Sequence, residues 1–319
     1  MKNVFKKTII ILISLVLIII VLGAVIAYLP SKPNTKHPGI SPGEVATLRH
    51  NFTEPHQQFV TSDGDTLFMR RWNPDSLETA KADLAVLIFH GITAHSGAYK
   101  MAGEPISAGG FIAFGLDYRG HGLSDGNRGD AKSKERWIAD LAESVKYIKS
   151  LGFKRVIILG HSLGVAAAIC AANAVPEEIS GLILLSGAYE AKKSKAQPMK
   201  FSQKARIISM SVFRPSYQAV EYYRDDMTGA NDPLFNFKYT LRFLTMLDVK
   251  KLKLPASMNI PVLVGVGDSD ELFDVDKVKE FYDLVPGNKK EFLVMKNTTH
   301  AKIPRESWEE VVSWLKRNY

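Results

Sequence analysis

The chain has 319 residues, of which 46% are hydrophobic and 23% charged, with 41 basic and 33 acidic side chains and a single cysteine. Five lysines before residue 37, with no acid before Glu44, supply five of the +8 formal charges, and the +3 left for the rest is no nucleic-acid footprint. Cys170 alone cannot form an internal disulfide, no His, Cys and carboxylate cluster has metal-ligand spacing, and there is no G-x-G-x-x-G, so no metal or other cofactor is expected.

Lys2, Lys6 and Lys7 precede an uncharged run from Thr8 to Leu29. As a helix rising about 1.5 Å per residue it is roughly 33 Å long, enough to cross a hydrocarbon core of about 30 Å. It exceeds the apolar region of an ordinary signal peptide, although Val25-Ile26-Ala27 offers a cleavage site, and no polar face marks it as a core helix. The expectation is a single-pass signal anchor over residues 1–29. Its lysine flank keeps the tail cytoplasmic and places the remainder outside the cytoplasm. Residues 30–56, with Pro30, Pro33, Pro38, Gly39, Pro42 and Gly43, read as a linker denied regular structure and acting as a tether. Asn51-Phe52-Thr53 and Asn297-Thr298-Thr299 match the N-glycosylation pattern, with nothing else to support it.

Residues 57–319 can hold one large core with an insertion. Phe59–Ser62 and Leu67–Trp72 around Asp63-Gly64-Asp65 read as a hairpin. Ala85–Phe89, Ile112–Leu116, Val156–Leu159, Leu182–Leu185, Val262–Val266 and Phe292–Met295 are short apolar runs suited to strands buried on both faces of a parallel sheet. Apolar stripes at Trp137/Leu141/Val145/Ile148, Val275/Val278/Phe281/Tyr282 and Trp308/Val311/Val312/Leu315 mark helices between them. The alternation predicts a mostly parallel, doubly wound α/β sheet.

Within this frame His90-Gly91-Ile92 ends a strand and offers the backbone N–H of Ile92 as an oxyanion donor, with His90 organising the loop. Two G-x-S-x-G copies follow. Gly122-Leu123-Ser124-Asp125-Gly126 lies among turn residues, which makes Ser124 structural. Gly160-His161-Ser162-Leu163-Gly164 joins a strand to a helix of small residues, the context in which Ser162 is a nucleophile and Leu163 N–H a second oxyanion donor. A serine merely capping a helix after a glycine turn is the competing reading. Asp268 and Asp270 both follow the next-to-last strand as candidate acids. His300, after the last strand, is the best placed of eight histidines to act as base, since His37, His50 and His56 belong to the linker or its edge and His121 and His161 are placed elsewhere. The order Ser, Asp, His is complete.

The set HGITAHS (90–96), DYRGHGLSDG (117–126), GHSLG (160–164), GDSD (267–270) and His300 resembles the monoacylglycerol lipase and lysophospholipase group of α/β-hydrolases over roughly residues 57–318. The resemblance implies Asp270 as the acid, Ile92 and Leu163 as oxyanion donors, and a helical cap inserted after the sixth strand, about 188–259. Asp232-Pro233-Leu234 with Thr240 and Arg242 looks like that cap, whereas Lys192–Arg214 does not map. It implies a serine hydrolase cleaving lipid carboxylic esters, monoacylglycerol or lysophospholipid, with no obligate protein partner. An esterase for small soluble esters, an acyltransferase and a silent binding protein on the same fold are the alternatives. Seven basic residues between Lys192 and Arg214, interleaved with apolar ones and free of acids, read either as a solvated basic face or as a segment dipping into an anionic membrane surface.

Overall fold

The six apolar runs are strands of one eight-stranded sheet in the computed structural model, which describes residues 2–29, 39–74, 83–187, 192, 199–223 and 227–319. Strands β1 (His56–Val60) and β2 (Thr66–Trp72) form the hairpin, and β3 (Leu84–Phe89), β4 (Ile112–Leu116), β5 (Arg155–His161) and β6 (Gly181–Leu185) follow. β7 (Val220–Glu221) and β8 (Lys238–Tyr239) pair only with each other, and β9 (Val262–Gly267) and β10 (Lys290–Met295) complete the main sheet. Its order is β1-β2-β4-β3-β5-β6-β9-β10. β1–β2 and β2–β4 are antiparallel and every other pair is parallel.

Alternate residues of β3 show how the sheet is covered. Ala85, Leu87 and Phe89 face one core, made with α4 (Lys134–Ser150), α5 (Leu163–Ala174) and α8 (Val275–Asp283). Leu84, Val86 and Ile88 face the other, made with α3 (Lys100–Ala108) and α9 (Arg305–Asn318). With both faces buried, β3 to β6 and β9 need no polar alternation, and this is why they appear in the sequence as continuous apolar runs, while β10, at the sheet edge, is only partly covered.

Before the sheet lie α1 (Lys2–Tyr28) and α2 (Pro42–His50). The second of these corrects the linker expectation. Ser41 caps the helix: its hydroxyl accepts from Glu44 N–H at 3.3 Å while Glu44 Oε2 accepts from Ser41 N–H at 2.9 Å. Pro42 stands at the first turn, where its missing N–H costs nothing. Arg49 then fastens α2 to the domain through Leu123 C=O and Asp125, both at 2.7 Å. Residues 30–38 lie outside the described residues.

The insertion between β6 and β9 contains α6 (Phe201–Phe213), the β7–β8 pair and α7 (Leu241–Thr245). Its expected start at 188, and Lys193 and Lys195 of the basic run, lie outside the described residues. The returning half is riveted to the sheet side of the molecule. Asp130 accepts from Thr240 Oγ1 at 2.7 Å and pairs with Arg242, and Asn236 N–H donates to Thr93 C=O at 2.9 Å.

A buried charge hub holds the hairpin. The Arg119 guanidinium forks onto Asp140 of α4 at 2.7 and 2.8 Å and also reaches Asp63 at 2.8 Å and Asp65 in the β1–β2 turn. Its hydrogen bond holds the Asp63 carboxyl well below the usual carboxylate range. Removing one member of a buried ion cluster strands the others. Arg119→Ala should therefore lower unfolding stability by about 3–5 kcal/mol. Denaturant titration of the detergent-solubilised chain reads this, and a loss below 1 kcal/mol would show that the hub is solvated.

Candidate active site

The β5–α5 junction places Ser162 at φ 58°, a left-handed conformation rare for a residue with a side chain. Two glycines make the turn sterically possible. A Cβ on Gly160 would lie 2.2 Å from Gly164 C=O, and one on Gly164 would lie 2.0 Å from Phe89 C=O. The helix that follows is one of small residues, Val165 to Ala172, which lets it sit close against the sheet. Leu163 opens α5, so its N–H belongs to the first-turn donors that no helical carbonyl satisfies.

Ser162 Oγ stands 3.0 Å from His300 Nε2, and His300 Nδ1 stands 3.1 Å from Asp270 Oδ2. Asp270 is buried, and its other oxygen accepts from the amides of Leu272 at 2.8 Å and Phe273 at 3.0 Å. Burial works to raise its pKa, but the hydrogen bond and charge of His300, helped by those amides, outweigh it and hold the carboxyl below its ordinary value. With Asp270 ionised, His300 donates from Nδ1 and presents a lone pair at Nε2 to the serine hydroxyl. Asp268 is elsewhere. It is exposed and accepts from Asn297 N–H at 3.1 Å and Thr298 N–H at 3.3 Å, so it staples the loop that carries His300 without touching the imidazole.

The loop after β3 presses on Ser162: a Cβ built on Gly91 would lie 3.3 Å from Ser162 Cβ. Tyr118 N–H donates to His90 Nε2 at 3.3 Å, which leaves the proton on Nδ1 to be donated to Gly91 C=O at 2.8 Å. Ala94 N–H binds the same carbonyl at 3.2 Å. The Gly91–Ile92 peptide is planar and trans, so fixing its carbonyl on one side directs the Ile92 N–H to the other. His90 thus organises the loop. Gly91 N–H donates to Tyr99 Oη at 2.8 Å, and the tyrosine O–H in turn donates to His161 Nδ1 at 2.7 Å.

Ser124 is buried and bonded at both ends of its hydroxyl, accepting from Phe68 N–H at 2.9 Å and donating to Asp117 C=O at 2.6 Å. It has no part in the cavity. Sequence reasoning missed four participants: Tyr99, Glu271, whose carboxylate accepts from His300 N–H at 2.9 Å, Lys192, whose ammonium donates to Asp270 C=O at 2.7 Å, and Tyr239, whose hydroxyl donates to Ile92 C=O at 2.7 Å. Each acts on a residue far away in the chain, and no local pattern signals it.

Above the serine is a cavity of about 350 Å³, lined from the core by Ile92, Ala98, Met101 and Leu272 and from the insertion by Tyr222, Met227 and Phe235. The lining is predominantly apolar. His95, buried, ties the insertion down beside it, 3.0 Å from Asp232.

Three comparisons with known proteins agree with this geometry. Residues 80–306 match the family Hydrolase_4, described as serine aminopeptidase, S33. The chain is similar to human monoglyceride lipase, 24% identical over 296 residues that span 86% of this chain and 95% of that one. It is also similar to the phospholipase YtpA of Bacillus subtilis, 24% identical over 247 residues, 73% of this chain and 95% of the other. Among solved structures, the monoacylglycerol lipase of Paleococcus ferrophilus superposes with a TM-score of 0.61 at 22% identity, over 79% of this chain and 99% of that one, and so shares the fold.

Burial sets an acid limit on this site. It lowers the pKa of His90 to about 4 and that of His161 to about 3, and pushes His121 well below its ordinary value. All three are neutral when folded, and unfolded they titrate near 6.5. Above that pH neither state binds the extra protons and stability is unaffected. As pH falls from 6.5 towards 4 the unfolded chain takes up protons that the folded one refuses, and stability is lost at up to about 4 kcal/mol per pH unit for three protons. Melting curves should show Tm falling steeply between pH 6.5 and 4.5, above the range of most carboxylates; a flat Tm there would refute the neutral assignments.

Proposed function

The chain belongs to the Hydrolase_4 family of serine hydrolases, and on that premise we propose that it cleaves carboxylic esters of lipids with Ser162 as nucleophile, His300 as base and Asp270 as the orienting acid. The observation that carries the reading is the unbroken Ser162–His300–Asp270 chain at 3.0 and 3.1 Å beneath an apolar cavity. His300 Nε2 takes the hydroxyl proton as Ser162 Oγ attacks the acyl carbonyl. The new oxyanion meets the N–H groups of Ile92 and Leu163, each such donor contributing about 2.7–4 kcal/mol in the transition state. Collapse of the tetrahedral intermediate breaks the bond to the leaving alcohol, which receives the proton from His300. Water, activated by the same imidazole, then releases the acyl group from Ser162. Monoacylglycerol is the substrate we favour and lysophospholipid the second. The named relatives are a monoglyceride lipase and a phospholipase, and the apolar lining suits an acyl chain better than a peptide.

A fluorophosphonate probe should label the wild-type chain and not Ser162→Ala. Asp270→Asn should leave His300 in the wrong tautomer and lower kcat on a soluble ester by about 10⁴-fold, while Asp268→Asn, which loosens a loop without touching the imidazole, costs far less. Melting curves exclude unfolding. A dead Asp268→Asn beside an active Asp270→Asn would reverse the assignment of the acid, and turnover of an aminoacyl anilide in place of monoacylglycerol would replace the esterase reading by a peptidase.

The same proposal places the enzyme on a membrane. From Val4 to Tyr28 the chain is one apolar helix near the N-terminus, and its large side chains from Val4 to Leu22 are exposed over a continuous surface far larger than a soluble monomer normally presents. Lipid accounts for that surface. The insertion adds to it: Phe201, Ile208 and Val212 of α6 are exposed beside Lys200 and Lys204, the composition of an interfacial helix. Lys6 and Lys7 on the other flank keep the short tail cytoplasmic. Protease added to spheroplasts should digest the catalytic domain, and protection of the domain until the membrane is broken would reverse the orientation.

A further inference from the structure

Helix α1 changes character along its length. Val4–Leu22 has every residue exposed, and its uncharged part from Thr8 spans roughly 22 Å at about 1.5 Å per residue, with the Lys6 and Lys7 ammonium groups reaching towards the headgroups. The residues after it behave differently: Ala27 is fully buried, and Gly23, Ala24 and Ile26 are half-buried on the same face. What covers them is α6 of the insertion.

The contact is built from both sides. On α1, Gly23 and Ala27 are a small residue, three others, and a small residue, the spacing that lets two helices approach closely. A Cβ on Gly23 would lie 3.0 Å from the Phe213 ring and 3.7 Å from Ser209 Oγ. On α6 the facing residues Arg206, Ser209 and Phe213 lie on one stripe, while Ile208 and Val212 project elsewhere and are exposed. The end of α1 also carries no basic residue in its last turn to meet its unsatisfied carbonyls. Two arginines of α6 do so: Arg206 donates to Leu29 C=O at 2.7 Å, and Arg214 donates to Ala27 C=O at 3.4 Å with its guanidinium 5.3 Å from the Tyr28 ring centroid. Positive charge at a helix C-terminus is stabilising.

We propose that the C-terminal end of the anchor, Gly23–Leu29, at the membrane surface, is the seat of the cap helix, so that the anchor holds the cap of its own chain against the bilayer and takes part in the capture of membrane-borne substrate. This rests on the anchored, lipid-hydrolysing reading above. Cleavage before residue 29 would remove the seat, and a free catalytic domain would carry an α6 with an uncovered stripe and two arginines deprived of the α1 carbonyls. Hydrolysis of a soluble ester needs only the cavity and the triad, neither of which touches α1.

The test uses the full chain in its membrane. Gly23→Cys with Ser209→Cys should form an intramolecular disulfide on mild oxidation, read by intact mass and gel mobility. Native Cys170, buried and with its thiol pushed up to about 11, stays out of the reaction. Gly23→Leu, which drives a side chain into Phe213, should lower hydrolysis of monoacylglycerol in the bilayer roughly tenfold and leave kcat/KM for a short soluble ester unchanged. An uncleaved chain that forms no disulfide, or forms it only between two chains, overturns the seat. A disulfide that forms while Gly23→Leu hydrolyses membrane monoacylglycerol normally overturns the role in capture. A chain whose intact mass lacks the first residues instead fails the anchoring reading itself, and failure of Ser162 to take the fluorophosphonate fails the catalytic one.

Discussion

One backbone conformation governs the arrangement. Ser162 sits in the left-handed region between glycines whose missing side chains let β5, α5 and the β3 carbonyls approach to distances that no Cβ tolerates. A strained turn of this kind persists only where the surroundings over-determine it. Here β5 is hydrogen-bonded to β3 on one side and β6 on the other, at the middle of the sheet, so the turn has nowhere to relax. The same parallel sheet brings the ends of β3, β9 and β10 to one edge, and the loops leaving those ends deliver Ile92, Asp270 and His300. Strain at one residue is held by the strongest part of the fold.

Around that turn the protein manages protons by exclusion. His300 has a carboxylate partner in Asp270 and His95 one in Asp232, whereas His90 and His161 are buried neutral and serve as oriented dipoles. His90 fixes a peptide plane and His161 accepts a hydrogen bond from Tyr99 O–H, so the loop carrying Ile92 and the turn carrying Ser162 are joined through one phenol. The insertion adds the hydroxyl of Tyr239 on Ile92 C=O. The loop and the turn that face the cavity are thereby fixed to each other and to the insertion.

The sequence made the chemistry legible and much of its support illegible, for a physical reason. Ser162 could be separated from Ser124 because strand, turn and helix are local properties, and the order Ser, Asp, His follows from connecting local elements. Asp270 stood out from Asp268 only through a family pattern, and the structure shows the difference in partners: a buried carboxylate on an imidazole against an exposed one on two loop amides. Tyr99, Lys192 and Glu271 act across distances of 8 to 78 residues in the chain, where no periodicity carries a signal. The helix Pro42–His50 is a different lesson. Its Pro and Gly content reads as a linker, yet Ser41, Pro42 and Glu44 together are a helix start, and position within a cap outweighs composition.

The insertion is fastened unequally. Its returning half, from Asp232 to Arg242, is tied by hydrogen bonds and ion pairs to His95, Thr93, Ile92 and Asp130, whereas the described contacts of α6 with the anchor lie apart from the cavity. Over evolutionary time these halves can drift at different rates. Exchange in α6 and the end of α1 leaves the cavity and its lining intact, provided the two helices change together. For protein engineering the corresponding unit of transfer is not a contiguous segment but the pair formed by α1 and α6, grafted as one piece onto a hydrolase that lacks an address.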